Sequence, residues 1–252
     1  MHIAKGIDML EITAQVMGGS DTLYPVLLHD ENTAVLIDTG YPGLLENFQK
    51  AFHKAGVPWS KLGTILITHQ DLDHIGSLPA ILTSLGDAPT VLAHALEKPH
   101  IEGEKMLLKH TPEALAAAEA MLPPHVPAEW RQAFLSVLKN PPKGKVDGTL
   151  TDGEQLLLAG GIITVIHTPG HSPGHLCLYH QASRTLIAGD ALIVREGELH
   201  GPDSSSTPDM ATAVASLSKL ADYPIDTVIC YHGGIYRGDA NRRIAELSEG
   251  QQ

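Results

Sequence analysis

Six consecutive positions, His69 to His74, hold two histidines and two aspartates within the stretch THQDLDHIG at 68–76. The stretch follows TILI, an apolar run that reads as a buried strand. Imidazole nitrogen and carboxylate oxygen suit zinc, manganese or iron, and histidine is also the usual proton carrier near neutral pH. A capping turn would explain such residues if this were the one place they occurred. However, ITVIHTPG leads to His171, TLIAG to Asp190 and TVICY to His232, so four apolar runs end on a potential ligand. In open α/β sheets, sites gather beyond the carboxyl ends of strands. His69 and Asp71 alternate in the turn and can face one ion, while Asp73 and His74 face another. Asp190 is the carboxylate placed to bridge them. Two metals about 3.5–4 Å apart lower the pKa of a bridging water and hold an electrophile, which suits hydrolysis. Cys230 is not counted among the ligands.

Strand ends need strands, and the chain supplies them in a regular rhythm. MLEITAQV, YPVLLHD and AVLIDTG read as strands, PGLLENFQKAFHKA from Pro42 as a helix, and KLGTILITH as the strand before the ligand turn. A helix is expected from about His74, then the strand PTVLAH. Residues 97–145 break the rhythm. Thr111 as an N-cap and Pro112 open one helix there and PAEWRQAFLSVLKN forms another, so this segment is expected to be a helical insertion that packs on the fold or caps a pocket. EQLLLAGGIITVIHTPG, HLCLYHQ and RTLIAGD resume the strands, followed by a helix opened by Thr207 and Pro208, the strand DTVICYHGG and a last helix. The expectation is one α/β domain over 1–252, with two sheet layers facing each other and helices outside.

Composition bounds the rest. A chain of 252 residues with 43% hydrophobic content can bury a large core without a staple. Two cysteines fit a reducing, cytoplasmic compartment, and no signal peptide or membrane span is evident. Seventeen basic against twenty-nine acidic residues give a net charge of −12, which argues against a nucleic-acid binder and for a small-molecule substrate. Either a monomer or a homodimer is compatible with the sequence.

From about Ile7 to Ile244 the chain resembles the metallo-β-lactamase-fold superfamily, through LIDTG, THQDLDHIG, HTPGHSPGH, LIAGD and CYHGG in order. The resemblance implies a four-layer αβ/βα sandwich with metals at one edge between the sheets. It assigns His69, His171 and Asp190 to one ion, and Asp73, His74, Asp190 and His232 to the other, with Asp38 orienting the ligand turn. Asp71 stands where the family usually has a histidine and the flavodiiron proteins a glutamate, so manganese or iron gains on zinc, which remains the first expectation. The function implied is a dinuclear hydrolase. A bridging hydroxide held by Asp190 and oriented by Asp73 attacks an ester, lactone or thioester carbonyl. HTPGHSPGH is similar to the glyoxalase II thioesterases and the acyl-homoserine lactonases. An apolar cap from the insertion would favour the lactonases. The alternative class is an iron-dependent oxygenase resembling the persulfide dioxygenases, supported by Asp71. His175 is expected either to support the ligands or to face substrate. Tyr231 and Tyr236 are expected either to pack or to hydrogen-bond a developing oxyanion.

Overall fold

The computed structural model describes residues 1–16, 19–122, 126–159 and 161–250. Positions 123–125 of the expected insertion and Gly160 of the strand expected over 154–170 lie outside them. Two sheets form the centre. The first has seven strands, in the order His2–Ala4, Ile7–Met9, Val26–His29, Ala34–Ile37, Leu62–Leu66, Thr90–His94 and Gly148–Leu150. The second has six, in the order Gln155–Leu158, Gly161–His167, Leu176–His180, Thr185–Ile187, Thr227–Cys230 and Gly234–Tyr236.

Side-chain alternation explains why these runs are apolar throughout. On Ala34–Ile37, Ala34 and Leu36 pack outward on the helices Leu45–Lys54 and Leu78–Ser84, through Phe48, Phe52 and Ile81. Val35 and Ile37 point the other way, into a core between the sheets that also takes Ile163, Val165, Leu178 and Ile229. The outer face of the second sheet packs Leu186 and Val228 against Leu217 and Ile244, from the helices Met210–Leu217 and Ala240–Ser248. Helix, sheet, sheet, helix is the four-layer αβ/βα sandwich.

Strand direction then decides where the ligands fall. Ala34–Ile37, Leu62–Leu66 and Thr90–His94 run parallel, as do Thr185–Ile187 and Thr227–Cys230. Gly161–His167 shares the direction of Thr185–Ile187, because each pairs antiparallel with Leu176–His180. The loops beginning at Asp38, Ile67, Thr168, Ala188 and Tyr231 therefore leave their sheets at one edge.

Three expected boundaries move, each for a local reason. The helix expected from Pro42 spans Leu45–Lys54, because Gly43 has φ +86°, outside any right-handed helix. The helix expected from His74 divides into Leu72–Ile75 and Leu78–Ser84. Between them, a Cβ on Gly76 would overlap the backbone of Tyr41 and Pro42, so only glycine allows this approach. The helix expected to open at Thr207 spans Met210–Leu217 and is capped by Asp209, whose carboxylate accepts from Thr212 N–H. Thr207 is used elsewhere, as described below. Thr111 does cap the helix Pro112–Met121, accepting from Ala114 N–H.

Candidate metal centre

At the shared edge the structure brings together two groups of ligand atoms, each group within 4.8 Å: His69, Asp71, His171 and Asp190 in one, and Asp73, His74 and His232 in the other. Asp190 connects them. Its Oδ1 lies 3.2 Å from His74 Nε2, and its Oδ2 lies 3.3 Å from His171 Nε2 and 3.6 Å from His232 Nε2. Asp71 Oδ2 is 3.2 Å from His69 Nε2 and 3.1 Å from His171 Nε2, while Asp73 Oδ2 is 3.2 Å from His232 Nε2.

The histidines are aimed by what holds their far nitrogens. Asp38, with φ +63°, accepts from Thr68 N–H at 2.8 Å, from the Thr68 hydroxyl at 2.8 Å and from His74 Nδ1 at 3.0 Å. This leaves the His74 Nε2 lone pair for the centre. Thr68 Oγ1 lies 3.1 Å from His69 Nδ1, and Thr207 Oγ1 lies 3.1 Å from His171 Nδ1. His69 Nε2, His74 Nε2 and Asp190 Oδ1 are buried with no hydrogen-bond partner among the described residues. Buried polar atoms normally have partners. Three that point into one carboxylate-rich space, with both imidazole rings braced from behind, fit divalent metal ions.

Carboxylates and imidazoles crowd together at the centre and shift one another. Burial raises the Asp190 carboxyl, but the imidazoles of His74, His232 and His171 outweigh it and hold the group well below the usual carboxylate range. Burial lowers His232, and Asp190 with Asp73 reverses this, lifting the imidazole to about 10. For Asp71 burial again raises the carboxyl, and His69, His171 and Lys109 together hold it well below its ordinary value.

The residues expected to assist take different places. His175 is fully buried behind the centre. Its Nε2 accepts from Asp190 N–H at 3.0 Å, and its Nδ1 pairs with Thr168 Oγ1 at 2.8 Å. Burial and the nearby His69 and His171 push its pKa well down, so it stays neutral and fixes the Asp190 backbone. It does not face substrate. Tyr231 is also buried. Its hydroxyl donates to Asp73 C=O at 2.6 Å and accepts from Gly40 N–H at 3.1 Å, and its ring lies 3.9 Å from that of His74. That commits the hydroxyl to the backbone of the ligand turn rather than to an oxyanion. Tyr236 packs with the outer core of the second sheet, apart from the ligands.

Two residues that sequence reasoning passed over also belong here. Glu97 is fully buried just past the strand Thr90–His94, and its carboxylate accepts from Gln70 N–H at 3.0 Å, Ser172 Oγ at 2.8 Å and Gly174 N–H at 2.6 Å. It ties the ligand turn to the HTPGH loop. Its place three residues past a strand end would mark it as a candidate, but not its role as a tie between the two loops. Lys109 reaches in from the segment 97–145. Its ammonium donates to Asp71 Oδ2 and to His171 Nε2, the latter at 2.7 Å. No local pattern marks it.

A cavity of about 460 Å³ opens on the centre, lined in part by Asp71, Asp73, His171, Asp190 and His232. Leu107, Lys109 and His110 line it from the segment 97–145, whereas the described residues of the helices Pro112–Met121 and Ala128–Lys139 contribute nothing to its wall. Two roles are open to the insertion, packing and capping: its loop before those helices takes part in the cavity wall, while the described helical residues do not.

Comparison with known proteins agrees with this geometry. Residues 24–232 match the family model described as the metallo-beta-lactamase superfamily. A probable metallo-hydrolase of Bacillus subtilis, YflN, is 31% identical over 244 residues, covering 91% of this chain and 84% of that protein. A hydroxyacylglutathione hydrolase of Fuscovulum blasticum is 30% identical over 187 residues, 73% of this chain and 52% of the relative. Among solved structures, a metallo-beta-lactamase family protein from Thermus thermophilus superposes with a TM-score of 0.68 at 25% identity, over 99% of this chain and 80% of that one. With the motifs, the layered sheets and the ligand geometry in agreement, the chain belongs to the metallo-beta-lactamase superfamily.

Proposed function

We propose that the chain is a hydrolase that uses two divalent metal ions, zinc foremost, to open an ester, lactone or thioester bond in a small molecule. The observation that carries this reading is the pair of ligand groups joined by Asp190, with three buried donor atoms left unpartnered among the described residues. Divalent ions held there would polarise the carbonyl and bring the pKa of a water close to neutrality.

The chain's own residues supply position and proton handling. His69, Asp71 and His171 would hold one ion and Asp73, His74 and His232 the other, with Asp190 between. Asp73 lines the cavity, and its Oδ2 is the carboxylate oxygen nearest His232, suitably placed to take a proton and return it to the leaving group. Tyr231, through the Asp73 carbonyl, keeps that carboxylate in place. The cavity volume suits a small molecule. Ile193, Val194 and Leu107 offer it an apolar wall, and Arg195, paired with Asp203, lies at the rim.

An acyl-homoserine-lactonase-like activity rests on the HTPGHSPGH motif; the insertion adds Leu107 to the apolar wall, and its described helical residues add nothing. Thioesters have the support of the hydroxyacylglutathione hydrolase relative. The deciding experiment is a panel of acyl-homoserine lactones, aryl esters and S-acylglutathiones assayed with Zn²⁺-, Mn²⁺- and Fe²⁺-loaded protein. Turnover of one class, abolished by chelation and absent in Asp190→Ala, supports the proposal. Turnover that survives both treatments removes it. Oxygen uptake with thiols by the iron form alone would favour the oxygenase class that Asp71 suggested.

A further inference from the structure

Lys109 places its ammonium inside the first ligand group, in the space an ion would occupy. Its ammonium engages Asp71 Oδ2 and His171 Nε2, which belong to two of the four residues of that group. An imidazole Nε2 has one lone pair, so it cannot accept a hydrogen bond from Lys109 and bind a metal at the same time. The second group has a different balance. The ion pairs of His74 and His232 run to the carboxylates of Asp38, Asp73 and Asp190, and no lysine or arginine among the described residues pairs with Asp73, His74 or His232.

The lysine is also held where it is. Leu108 N–H donates to Gln70 Oε1 at 2.9 Å, and Gln70 Nε2 donates to Asp71 Oδ1 at 3.0 Å. His110 Nδ1 pairs with the Leu138 carbonyl at 2.8 Å. The loop from Leu107 to His110 is thus fastened on one side to the ligand turn and on the other to the helix Ala128–Lys139.

We propose that Lys109 is a built-in competitor for the first metal site: the second site fills first and tightly, and an ion enters the first only by displacing the Lys109 ammonium from Asp71 and His171. This rests on the reading of the cluster as a metal centre. Both cations would need the same carboxylate at contact distance, where like charges repel strongly and the charge-assisted hydrogen bonds of Lys109 must be given up. Because Lys109 lines the cavity, filling the first site also moves a cationic side chain within the substrate space.

The test is stepwise Zn²⁺ binding to metal-stripped full-length protein, by competition with a chromophoric chelator, with metal counted per chain after gel filtration. Wild type is expected to retain one ion and to bind a second about tenfold or more weakly. Lys109→Met, which keeps the aliphatic stem, should strengthen the weaker site by about tenfold or more and leave the tight site unmoved. Lys109→Arg, which keeps the charge, should leave the weak site weak. Two equally tight ions in wild type overturn the proposal without any variant, and so does a Lys109→Met chain whose weaker affinity is unchanged. A wild-type chain that binds no Zn²⁺ overturns the metal-centre reading itself, and the competitor with it.

Discussion

The two ligand groups draw on the same chemistry, imidazole and carboxylate around a shared Asp190, yet they are completed differently. Behind the second group stands Asp38, an anion: it fixes His74 through Nδ1 and adds charge that favours a cation. Behind the first group stand neutral hydroxyls, Thr68 on His69 and Thr207 on His171, the former itself donating to Asp38, while Lys109 faces the group with a charge of its own. The contrast shows that a ligand list understates a metal site. Affinity is set by what braces the ligands and by which charges compete for them.

The largest test of that contrast is the residue common to both groups. Asp190→Ala should remove tight binding of either ion and lower hydrolysis by about a thousandfold, the scale of several kcal/mol of lost metal catalysis. The far-ultraviolet circular dichroism spectrum should stay native; a variant that keeps wild-type turnover would show that Asp190 does not join the groups.

Next in size is Asp38→Asn, which is nearly isosteric but loses the anion behind His74. Zn²⁺ affinity at the tight site should fall about 10–100-fold, with a smaller change at the weak one, which Asp38 reaches only through Thr68 and His69. An equal loss at both sites would mean that the braces are not separate. The proton on His232 gives a third test, at roughly tenfold per pH unit. A group held near 10 must lose its proton to bind metal, so tight-site affinity should rise with pH up to about 10 and fall as the solution is acidified. A flat profile between pH 6 and 9 would contradict the geometry. The smallest effect belongs to Thr207→Val, which deletes the neutral brace on His171. Only the weak site should respond, by up to about tenfold, as metal titration can show.

The meeting of the candidate ligand residues at one edge was legible because each follows an apolar strand by a few residues, and strands and their ends are written locally. Asp38 was legible for the same reason, at the end of AVLIDTG. The role of His175 was left open between support and substrate contact, and only its burial against Asp190 N–H places it behind the centre. Tyr231 and Tyr236 differ by five positions and carry the same hydroxyl, yet one is buried against His74 and the other packs in the outer core. Nothing in their local sequence separates them, because the turn after Cys230 reverses the chain into Gly234–Tyr236. The insertion was open between packing and capping for a related reason: helix propensity in 111–139 says where helices form, not which side of the sandwich they occupy.

By itself the sequence determined the alternation of apolar strands and helices, the four-layer arrangement that buries both faces of its sheets, and the edge at which histidines and aspartates collect. These follow from hydrophobic periodicity and strand direction, which depend on near neighbours in the chain. Tertiary structure alone decided that Lys109 faces Asp71 across 38 positions and His171 across 62. It likewise decided that Glu97 ties two ligand loops together, and that Asp190 rests on His175. Such contacts depend on how loops from separate strands meet in space, and a charge placed that way leaves no period, spacing or composition for a sequence to reveal.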